Sequence, residues 1–486
     1  MLDALKMELN RTYTENGAVT LESSGSDCLD LFGTAGALRK ASDEEIRVRF
    51  LRAWAEDPDL AMKILFFARD IRGGLGERRF FRVILQDLAR TRAASVRKNL
   101  ALIPEYGRWD DLLALMDTPC EADALDLIRT QLTADLLAQK NHENVSLLAK
   151  WLPSVNTSNA AQCALGRRIA KACGMTEREY RKALSALRRE IRILENHLRE
   201  RDYTFDYEKQ PSRALFKYRR AFLRSDRERY QAFLAAAQRG EAKLHADNIY
   251  PYELAEAYFS GRARSEEELA ALNASWEALP DFGNGENALA VVDTSGSMYC
   301  AMQPRPASVA FALGLYFAER NHGVFADHFI TFSYRPQLIQ VKGATFTERL
   351  RYASSYNEVA DTDLEAVFRV ILQTAVKHHI PQADMPAKLV IISDMEFNSC
   401  VNNASMSNFE NARAMYEAAG YRLPQLVFWN VASRNRQQPV QMHETGTALV
   451  SGCTPRLFAM TAGEIMDPYR LMMEVLDSDR YARIAA

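Results

Sequence analysis

Apolar residues recur at helical spacing, almost without interruption, from about residue 43 to residue 270. Spacings of i, i+3, i+4 and i+7 are typical of amphipathic helices, and short breaks at Pro58, 73–76, Pro104, Gly107 and Pro119 separate one helix from the next. Consecutive helices of this length predict stacked antiparallel pairs, as in a HEAT-like solenoid. No repeat of fixed period is present, which favours irregular helical pairs. The segments that carry the pattern are EEIRVRFLRAWAE, PDLAMKILFFARDI, RRFFRVILQDLAR, DDLLALM, ALDLIRTQLTADLLAQ and NVSLLAKWL.

The pattern changes after a polar, Gly-rich linker at residues 281–286 (DFGNGE). Short apolar runs (NALAVVD, FADHFITFS, KLVIISD and QLVFWNVAS) then alternate with helical stretches, which predicts a doubly wound, parallel, Rossmann-like α/β sheet. The predicted fold class is therefore α + α/β. We expect a partly irregular N-terminal segment at 1–42, a helical domain at 43–283 and a sheet domain at 287–486.

Composition narrows the class of partner and the cellular compartment that we expect for the protein. The 486 residues carry a net charge of −2, which by itself indicates no partner, and the seven cysteines lack the close spacing of zinc or redox motifs. The N-terminal residues contain no apolar signal region, and the apolar runs are too short to span a bilayer. We expect a cytoplasmic protein with reduced thiols and no membrane partner.

Carboxylates and hydroxyls follow two of the predicted strands. Asp293 ends the first strand and leads into Ser295 and Ser297, Asp394 ends the KLVIIS strand, and Thr362 precedes a helix. Loops after parallel strands meet at one edge of a sheet, and five hard oxygen donors favour Mg²⁺ or Mn²⁺ over zinc or copper. Helix capping is the usual role of one such loop alone, but Asp-x-Ser-Gly-Ser together with a second strand-end Asp predicts a metal site.

These residues resemble the metal-ion-dependent adhesion site of von Willebrand factor A domains. All five positions of that motif are present at Asp293, Ser295, Ser297, Thr362 and Asp394. The resemblance implies that the three hydroxyls bind the cation directly and that the two carboxylates act mostly through water. Asp363 and Glu396, next to the motif, would contact the ligating residues and not the cation itself.

A helical solenoid followed by such a domain resembles the Ro (TROVE-module) RNA-binding proteins, in which a von Willebrand A domain closes a ring of helical repeats. The resemblance is closer to a Ro-like family described only as a domain of unknown function, and it covers residues 45–470. It implies noncoding RNA as a partner and, by analogy with bacterial Ro proteins, an exoribonuclease or other protein at the metal site. The segments that carry it are 68–78, 108–112, 180–187 with Glu195, 211–212, 250–254, 393–397, 427–430 and 450–452.

Charge gives separate support for RNA. Residues 167–243 contain 21 Lys and Arg against 11 Asp and Glu, a local net charge of +10. Such clusters bind phosphates through counterion release, although basic helices are also often solvated faces held by internal ion pairs. Aromatic residues between positions 203 and 222 would offer stacking faces, although we expect most of them in the core. The candidate RNA-binding residues are Arg72, Arg78, Arg79, Arg167, Arg168, Lys171, Arg188, Arg189, Arg192, Lys217, Arg219 and Arg220.

No motif predicts catalysis. The glycine-rich turn at 73–76 lacks the preceding strand and the Lys of a phosphate-binding loop, and no nucleophile elbow is present. We therefore expect a non-enzymatic RNA-binding protein. The alternatives are an adaptor that captures an acidic group of a partner such as an ATPase without RNA, and a metal-dependent nuclease or phosphatase.

Overall fold

The computed structural model describes residues 1–191, 193–261, 265–283, 286–332, 335–356, 362–399 and 406–486. Packing divides the chain into two compact units. The first contains residues 1–64 and 211–482, and the second contains residues 65–210 and 483–486. Residues 1–64 and 211–283 thus pack in the same unit as the sheet.

The region before residue 280 is rich in helices, as its hydrophobic periodicity predicts. Polar caps start several of them; the Ser42 side chain, for example, accepts from the amide of Glu45. The α-helices described here are α1 (Leu2–Leu9), α2 (Asp27–Phe32), α3 (Asp43–Glu56), α4 (Pro58–Arg69), α5 (Arg78–Thr91), α6 (Ala93–Asn99), α7 (Ile103–Tyr106), α8 (Glu121–Lys140), α9 (Leu148–Trp151), α10 (Ala160–Ala172), α11 (Glu177–Glu190), α12 (Leu194–Glu200), α13 (Ser212–Ser225), α14 (Arg227–Gln238), α15 (Pro251–Phe259) and α16 (Glu266–Glu277). Among all the helices that the structure describes, none has an apolar stretch sufficient to traverse a bilayer.

Two predicted helices differ in form. The DDLLALM segment is a 3₁₀ helix over Trp109–Leu115, and NVSLLAKWL contains only the single turn α9. The N-terminal segment is more regular than expected, because strands β1 (Arg11–Tyr13) and β2 (Val19–Leu21) form an antiparallel hairpin between α1 and α2.

The C-terminal region is a six-stranded sheet with flanking helices, in the strand order β5-β4-β3-β6-β7-β8. Its strands are β3 (Ala288–Asp293), β4 (His328–Phe332), β5 (Gln337–Gln340), β6 (Lys388–Ser393), β7 (Gln425–Asn430) and β8 (Thr447–Ser451). Its helices are α17 (Pro306–Arg320), α18 (Phe346–Ser354), α19 (Leu364–His378), α20 (Asn408–Ala418), α21 (Arg456–Met460) and α22 (Pro468–Leu476).

The sheet is mixed, so the prediction of a purely parallel sheet was wrong at one edge. β4 and β5 pair antiparallel, whereas the other neighbouring strands are parallel. The chain between β4 and β5 spans only residues 333–336, and a parallel connection needs a crossover of a dozen residues or more. A short connection therefore forces the antiparallel edge.

The core of the sheet lies at β3 and β6, which are buried along their whole length. On α17, Gly314 faces β3 so closely that a Cβ there would lie 2.4 Å from Cγ2 of Val292. Glycine at this position therefore lets the helix approach the strand, and Val292 directly precedes Asp293. This packing fixes the end of β3 from which the candidate site begins.

The second unit is organised around the fully buried carboxylate of Asp111. Its Oδ2 accepts from Nε of Arg69 at 2.8 Å and from the amide of Arg108 at 2.9 Å, and its Oδ1 accepts from Nε of Arg82 at 2.7 Å. Arg69 is itself 2% exposed. Segments 68–78 and 108–112, which are among those that carry the resemblance to the Ro-like family, therefore meet in a buried ion-pair network. This contact gives them a structural role.

Replacing Asp111 with alanine should destabilise the second unit by about 3–5 kcal/mol, because Arg69 would be left as a buried charge without its counterion. Urea unfolding followed by far-ultraviolet circular dichroism measures this loss. Asp126→Ala, which removes an exposed carboxylate paired with Arg129, is the control and should change little. Equal stability of the two variants would contradict the structural role of Asp111.

Candidate metal centre and basic cavity

Strands β3 and β6 bring two acidic residues to the same edge of the sheet. They are parallel neighbours in which Val292 pairs with Ile392. Asp293 is therefore the last residue of one strand, and Asp394 directly follows the other. Asp293 is fully buried and Asp394 is 3% exposed, so each carboxylate depends on its neighbours for hydrogen bonds.

Hydroxyl and amide groups surround these carboxylates. Asp293 Oδ1 accepts from the amide of Ser295 at 2.8 Å, and its Oδ2 accepts from Oγ of Ser393 at 2.6 Å. The Oγ atoms of Ser295 and Ser297 lie 3.0 Å apart, and the Ser297 side chain lies near enough to Asp394 to lower the pKa of that carboxyl. The structure thus joins Asp293, Ser295, Ser297 and Asp394 in one cluster.

Burial makes this cluster electrostatically unfavourable when both acids are ionised. Burial first, and then the neighbouring Asp394 carboxylate, raise the pKa of Asp293 well above its usual value. Burial also raises the pKa of Asp394, and the guanidinium of Arg434 partly opposes that rise. Two buried acids that disfavour each other's charge are stabilised by a cation placed between them.

Thr362 comes from a different part of the chain, and within the described residues its hydrogen bonds are with Asn16 and Asn398 and not with the other four candidate residues. It is 2% exposed, and its Oγ1 accepts from Nδ2 of Asn16 at 3.5 Å. The same Nδ2 donates to the main-chain oxygen of Glu396 at 2.6 Å. Thr362 is therefore connected to the loop after β6 by way of Asn16, and also directly, because its main-chain oxygen accepts from the amide of Asn398 at 2.9 Å. Asp361, which precedes it, lies outside the described residues.

The two acids expected behind the site have other contacts. Asp363 starts α19, where its Oδ1 accepts from the amide of Ala366 at 2.8 Å. Glu396 accepts from Asn435 at 2.9 Å, from Gln437 at 2.7 Å and from the amide of Glu15 at 2.8 Å. Glu396 thus ties the loop after β6 to two distant segments.

The residues at the site fit a small, hard dication. Two carboxylates and three hydroxyls are the oxygen donors that Mg²⁺ and Mn²⁺ prefer. Among the residues that the structure describes, no group of three or more His, Cys, Asp and Glu side chains is arranged to hold a metal. Met395, between Asp394 and Glu396, has φ of 67°, and such strained backbone is concentrated at functional sites.

Sequence reasoning missed four residues of this environment, namely Glu15, Asn16, Ser393 and Arg434. Ser393 precedes Asp394 at the end of a buried strand, so the motif around it could have indicated its role. Glu15, Asn16 and Arg434 come from segments remote in sequence. Their approach depends on tertiary packing, for which the local pattern holds no signal.

A second candidate site is a basic cavity of about 490 Å³ in the second unit. Five cationic side chains line it, together with Ser154, Asn156 and Ser185, and none of the described residues lining it is acidic. The five cations are Arg181, Lys182, Arg188, Arg189 and Arg199. Such a lining favours an anionic ligand.

Arg188 is the fixed member of this basic cavity. Its guanidinium donates to the main-chain oxygens of Ala149 and Leu152 and to Oγ of Ser154, each at 2.8 Å. These partners are neutral, so they orient the guanidinium without cancelling its charge. Burial lowers the pKa of Arg188, but an arginine stays protonated at neutral pH.

The other predicted RNA-binding residues are distributed over both units. In the second unit, Arg72, Arg78, Arg79 and Lys171 are exposed, while Arg167 pairs with Glu177 and Arg168 pairs with Asp117 and Glu121. In the first unit, Lys217 donates to the Tyr218 hydroxyl, and Arg220 pairs with Glu268. Arg192 lies outside the described residues.

Arg219 and several of the aromatic residues are buried. Arg219 is 8% exposed and its guanidinium lies over the ring of Phe216. Phe205, Tyr207 and Phe222 are buried, because they pack within the apolar cores beneath the basic helices. The expectation that most of these aromatics are core residues is confirmed for these three.

Comparison with known proteins follows the division seen in the hydrophobic pattern. A family model described as "Domain of unknown function (DUF2828)" matches residues 14–120 and 122–281, more than half of the chain. The chain belongs to the DUF2828 family. A second model, "Domain of unknown function (DUF7788)", matches residues 287–471. The five candidate metal residues of this DUF2828 protein therefore lie in the region that the second model matches.

One relative extends over nearly the whole DUF2828 protein. "Uncharacterized protein L728" of Acanthamoeba polyphaga mimivirus is 30% identical over 511 residues, covering 96% of this chain and 87% of the viral one. Among solved structures, the Ro (RSR) protein of Deinococcus radiodurans is similar with a TM-score of 0.48 and 14% identity, over 93% of this chain and 99% of that one. The viral relative thus spans both regions that the family models match.

Asp293→Asn should abolish any stabilisation by Mg²⁺ and should also raise the melting temperature of the metal-free DUF2828 protein. The amide removes one of two buried charges that disfavour each other, but it is a poorer ligand for a dication. Melting curves with and without MgCl₂ measure both effects. Asp384→Asn, which changes an exposed acid, should keep the response of the wild type. A full Mg²⁺ response in Asp293→Asn would count against the site.

Proposed function

We propose that this chain is a non-enzymatic RNA-binding protein whose basic cavity holds the phosphate backbone of structured or misfolded noncoding RNA. The observation that carries the proposal is the cavity around Arg181, Arg188 and Arg189, which is lined by five cations. The resemblance of the sequence motifs to the Ro proteins points in the same direction. In this proposal the helical region is a HEAT-like solenoid and residues 287–486 form a von Willebrand A domain.

The charges of the cavity are available to a ligand. Within the part of the chain that the structure describes, Arg181, Lys182 and Arg189 are exposed and have no acidic partner within ion-pair distance. Arg199 pairs with Glu200, and Arg188 is held by neutral groups. A polyanion that replaces the counterions of three or more such cations gains affinity from their release.

The cavity is suited to phosphates rather than to bases. Its described lining contains no aromatic ring, so base stacking of the kind that single-strand binders use is not provided there. Guanidinium, ammonium, hydroxyl and amide groups are the usual donors to phosphate oxygens. The proposed binding therefore depends on salt and depends little on base sequence.

The candidate metal centre supplies a second function in this proposal. Asp293, Ser295, Ser297, Thr362 and Asp394 would hold Mg²⁺ or Mn²⁺, and the cation would attract an anionic oxygen from a partner. The partner is either another part of the ring or a second protein such as an exoribonuclease. The donor chemistry at the ends of β3 and β6 supports this role.

An adaptor without RNA is the second candidate, and specific ion pairs favour it. Arg167, Arg168 and Arg220 have acidic partners, so much of the basic stretch at 167–243 is internally neutralised. In that case the metal centre alone would engage a partner, through a carboxylate. The two candidates differ in whether the purified protein binds RNA at low ionic strength.

Reversing two charges of the cavity tests the RNA proposal. Arg181→Glu combined with Arg189→Glu should weaken binding of a fluorescein-labelled oligouridylate by about tenfold or more at low salt. Between about 50 and 200 mM salt, the slope of log K against log salt should fall by about 1.4, or about 0.7 for each lost phosphate contact. Fluorescence anisotropy measures both quantities.

The matched control is Arg90→Glu combined with Lys140→Glu, which makes the same change in net charge. Both residues are exposed in the second unit and neither lines the cavity. The control should lose little affinity and keep its salt slope. Equal losses in the two double variants would show that only net charge matters. Absence of RNA binding by the wild type at low salt would contradict the RNA proposal and favour the adaptor.

A further inference from the structure

The loop between β1 and β2, residues 14–18, packs against the candidate metal centre. Oγ1 of Thr14 donates to the main-chain oxygen of Phe397 at 2.6 Å, and the amide of Glu15 donates to Oε2 of Glu396 at 2.8 Å. Gly17 forms an isolated bridge with Asn398. The N-terminal hairpin is therefore fixed to the loop that carries Asp394.

Two donors from outside the predicted ligand set use oxygen atoms of that set. Nη2 of Arg434 lies 3.1 Å from Oδ2 of Asp394. Nδ2 of Asn16 lies 3.5 Å from Oγ1 of Thr362. Each hydrogen bond occupies one lone pair of its oxygen and holds a positively polarised hydrogen beside it, so both contacts oppose a cation at that oxygen.

The two competing donors are linked through Glu15. Nη1 of Arg434 pairs with Oε2 of Glu15 at 2.7 Å, and Asn16 is the next residue in the loop. Arg434 is 34% exposed and Glu15 is 47% exposed, so both side chains have room to move toward solvent. The 14–18 loop and the guanidinium of Arg434 therefore contact the candidate metal centre together, joined by the ion pair of Arg434 with Glu15.

Charge explains why a guanidinium lies beside Asp394. The guanidinium of Arg434 lowers the cost of keeping Asp394 ionised in a buried position. A divalent ion between Asp293 and Asp394 would supply more charge at the same place, and it would repel the guanidinium. Arg434 and the metal ion would therefore each neutralise the Asp394 carboxylate, but not both at the same time.

We infer that Asn16 and Arg434 form a gate that competes with the divalent cation, so that metal binding releases the 14–18 loop from the centre. This inference rests on the proposed metal site. Because coupling between two binding events is reciprocal, the factor by which the docked loop weakens metal binding equals the factor by which the metal weakens docking. The N-terminal hairpin would then be bound to the centre in the absence of the cation and released in its presence.

Manganese affinity of the full-length protein tests the gate, with electron paramagnetic resonance of free Mn²⁺ as the readout. Arg434→Gln and, separately, Asn16→Ala should each bind Mn²⁺ more tightly, by about fivefold to tenfold, a factor typical of coupled sites. The control is Arg436→Gln, which removes a cation of the same segment that pairs with Glu45. It should change the affinity by less than about twofold, since its guanidinium makes no contact with the ligand set.

The outcomes separate the gate from the metal site. Tight binding in Arg434→Gln with weak or undetectable binding in the wild type supports the gate. Equal affinities in all four proteins, or equal gains in Arg434→Gln and Arg436→Gln, would overturn the gate and leave the metal site standing. No Mn²⁺ binding by any of them would overturn the metal site and the gate with it.

Hydrogen exchange gives a readout that does not depend on affinity. Saturating Mn²⁺ should speed amide exchange in residues 14–18 of the wild type, because Asn16 loses its contact with Thr362 and Glu15 loses its ion pair with Arg434. In Arg434→Gln, exchange there should already be fast and should respond less to the metal. Slower exchange on addition of Mn²⁺ would show that the loop closes over the cation, which contradicts release.

Discussion

The meeting of Asp293 and Asp394 at the ends of two adjacent buried strands is the constraint on which the candidate site depends. Neither carboxylate reaches bulk water, and each raises the cost of ionising the other. Ser295, Ser297 and Ser393 supply hydrogen bonds but no positive charge. The charge in contact with the pair comes from Arg434, which touches Asp394. A site of this kind is arranged around a cation, whether the cation is a side chain or a metal.

The N-terminal segment packs against the loop that carries Asp394, which explains why it belongs to the same unit as the sheet. Residues 14–18 and the loop at 434–437 converge on Glu396, next to Asp394. Gly36 packs so closely against Ser451 that a Cβ there would lie 2.4 Å from its main-chain oxygen. The first 64 residues are thus part of the structure that surrounds the end of the sheet, although they precede it by more than two hundred positions.

The sequence pattern was informative where structure is local. Apolar periodicity predicted α3, α4, α5 and α8 and the strands that carry Asp293 and Asp394, because burial of one face or of a whole strand leaves a repeating signal. It missed β5 and β8, whose short segments have no distinctive period. It also predicted parallel strands throughout, whereas β4 and β5 pair antiparallel. Binding of a metal and of RNA stays a prediction.

The remaining features depend on contacts between distant segments. Asn16, Arg434 and Thr362 are separated by tens to hundreds of residues, and no local pattern relates them. The basic stretch at 167–243 shows the same limit, since charge counting cannot distinguish Arg189, which lines a cavity, from Arg168, which is paired. Tertiary structure decides which charges are available.

Anomalous diffraction from crystals grown with Mn²⁺ tests the central claim most directly. The account predicts one strong manganese peak at the edge of the sheet, within coordination distance of oxygen atoms from Ser295, Ser297 and Thr362 or of water held by Asp293 and Asp394. A map in which Arg434 still contacts Asp394 and no manganese lies near these residues, at a concentration that saturates ordinary Mn²⁺ sites, would contradict it.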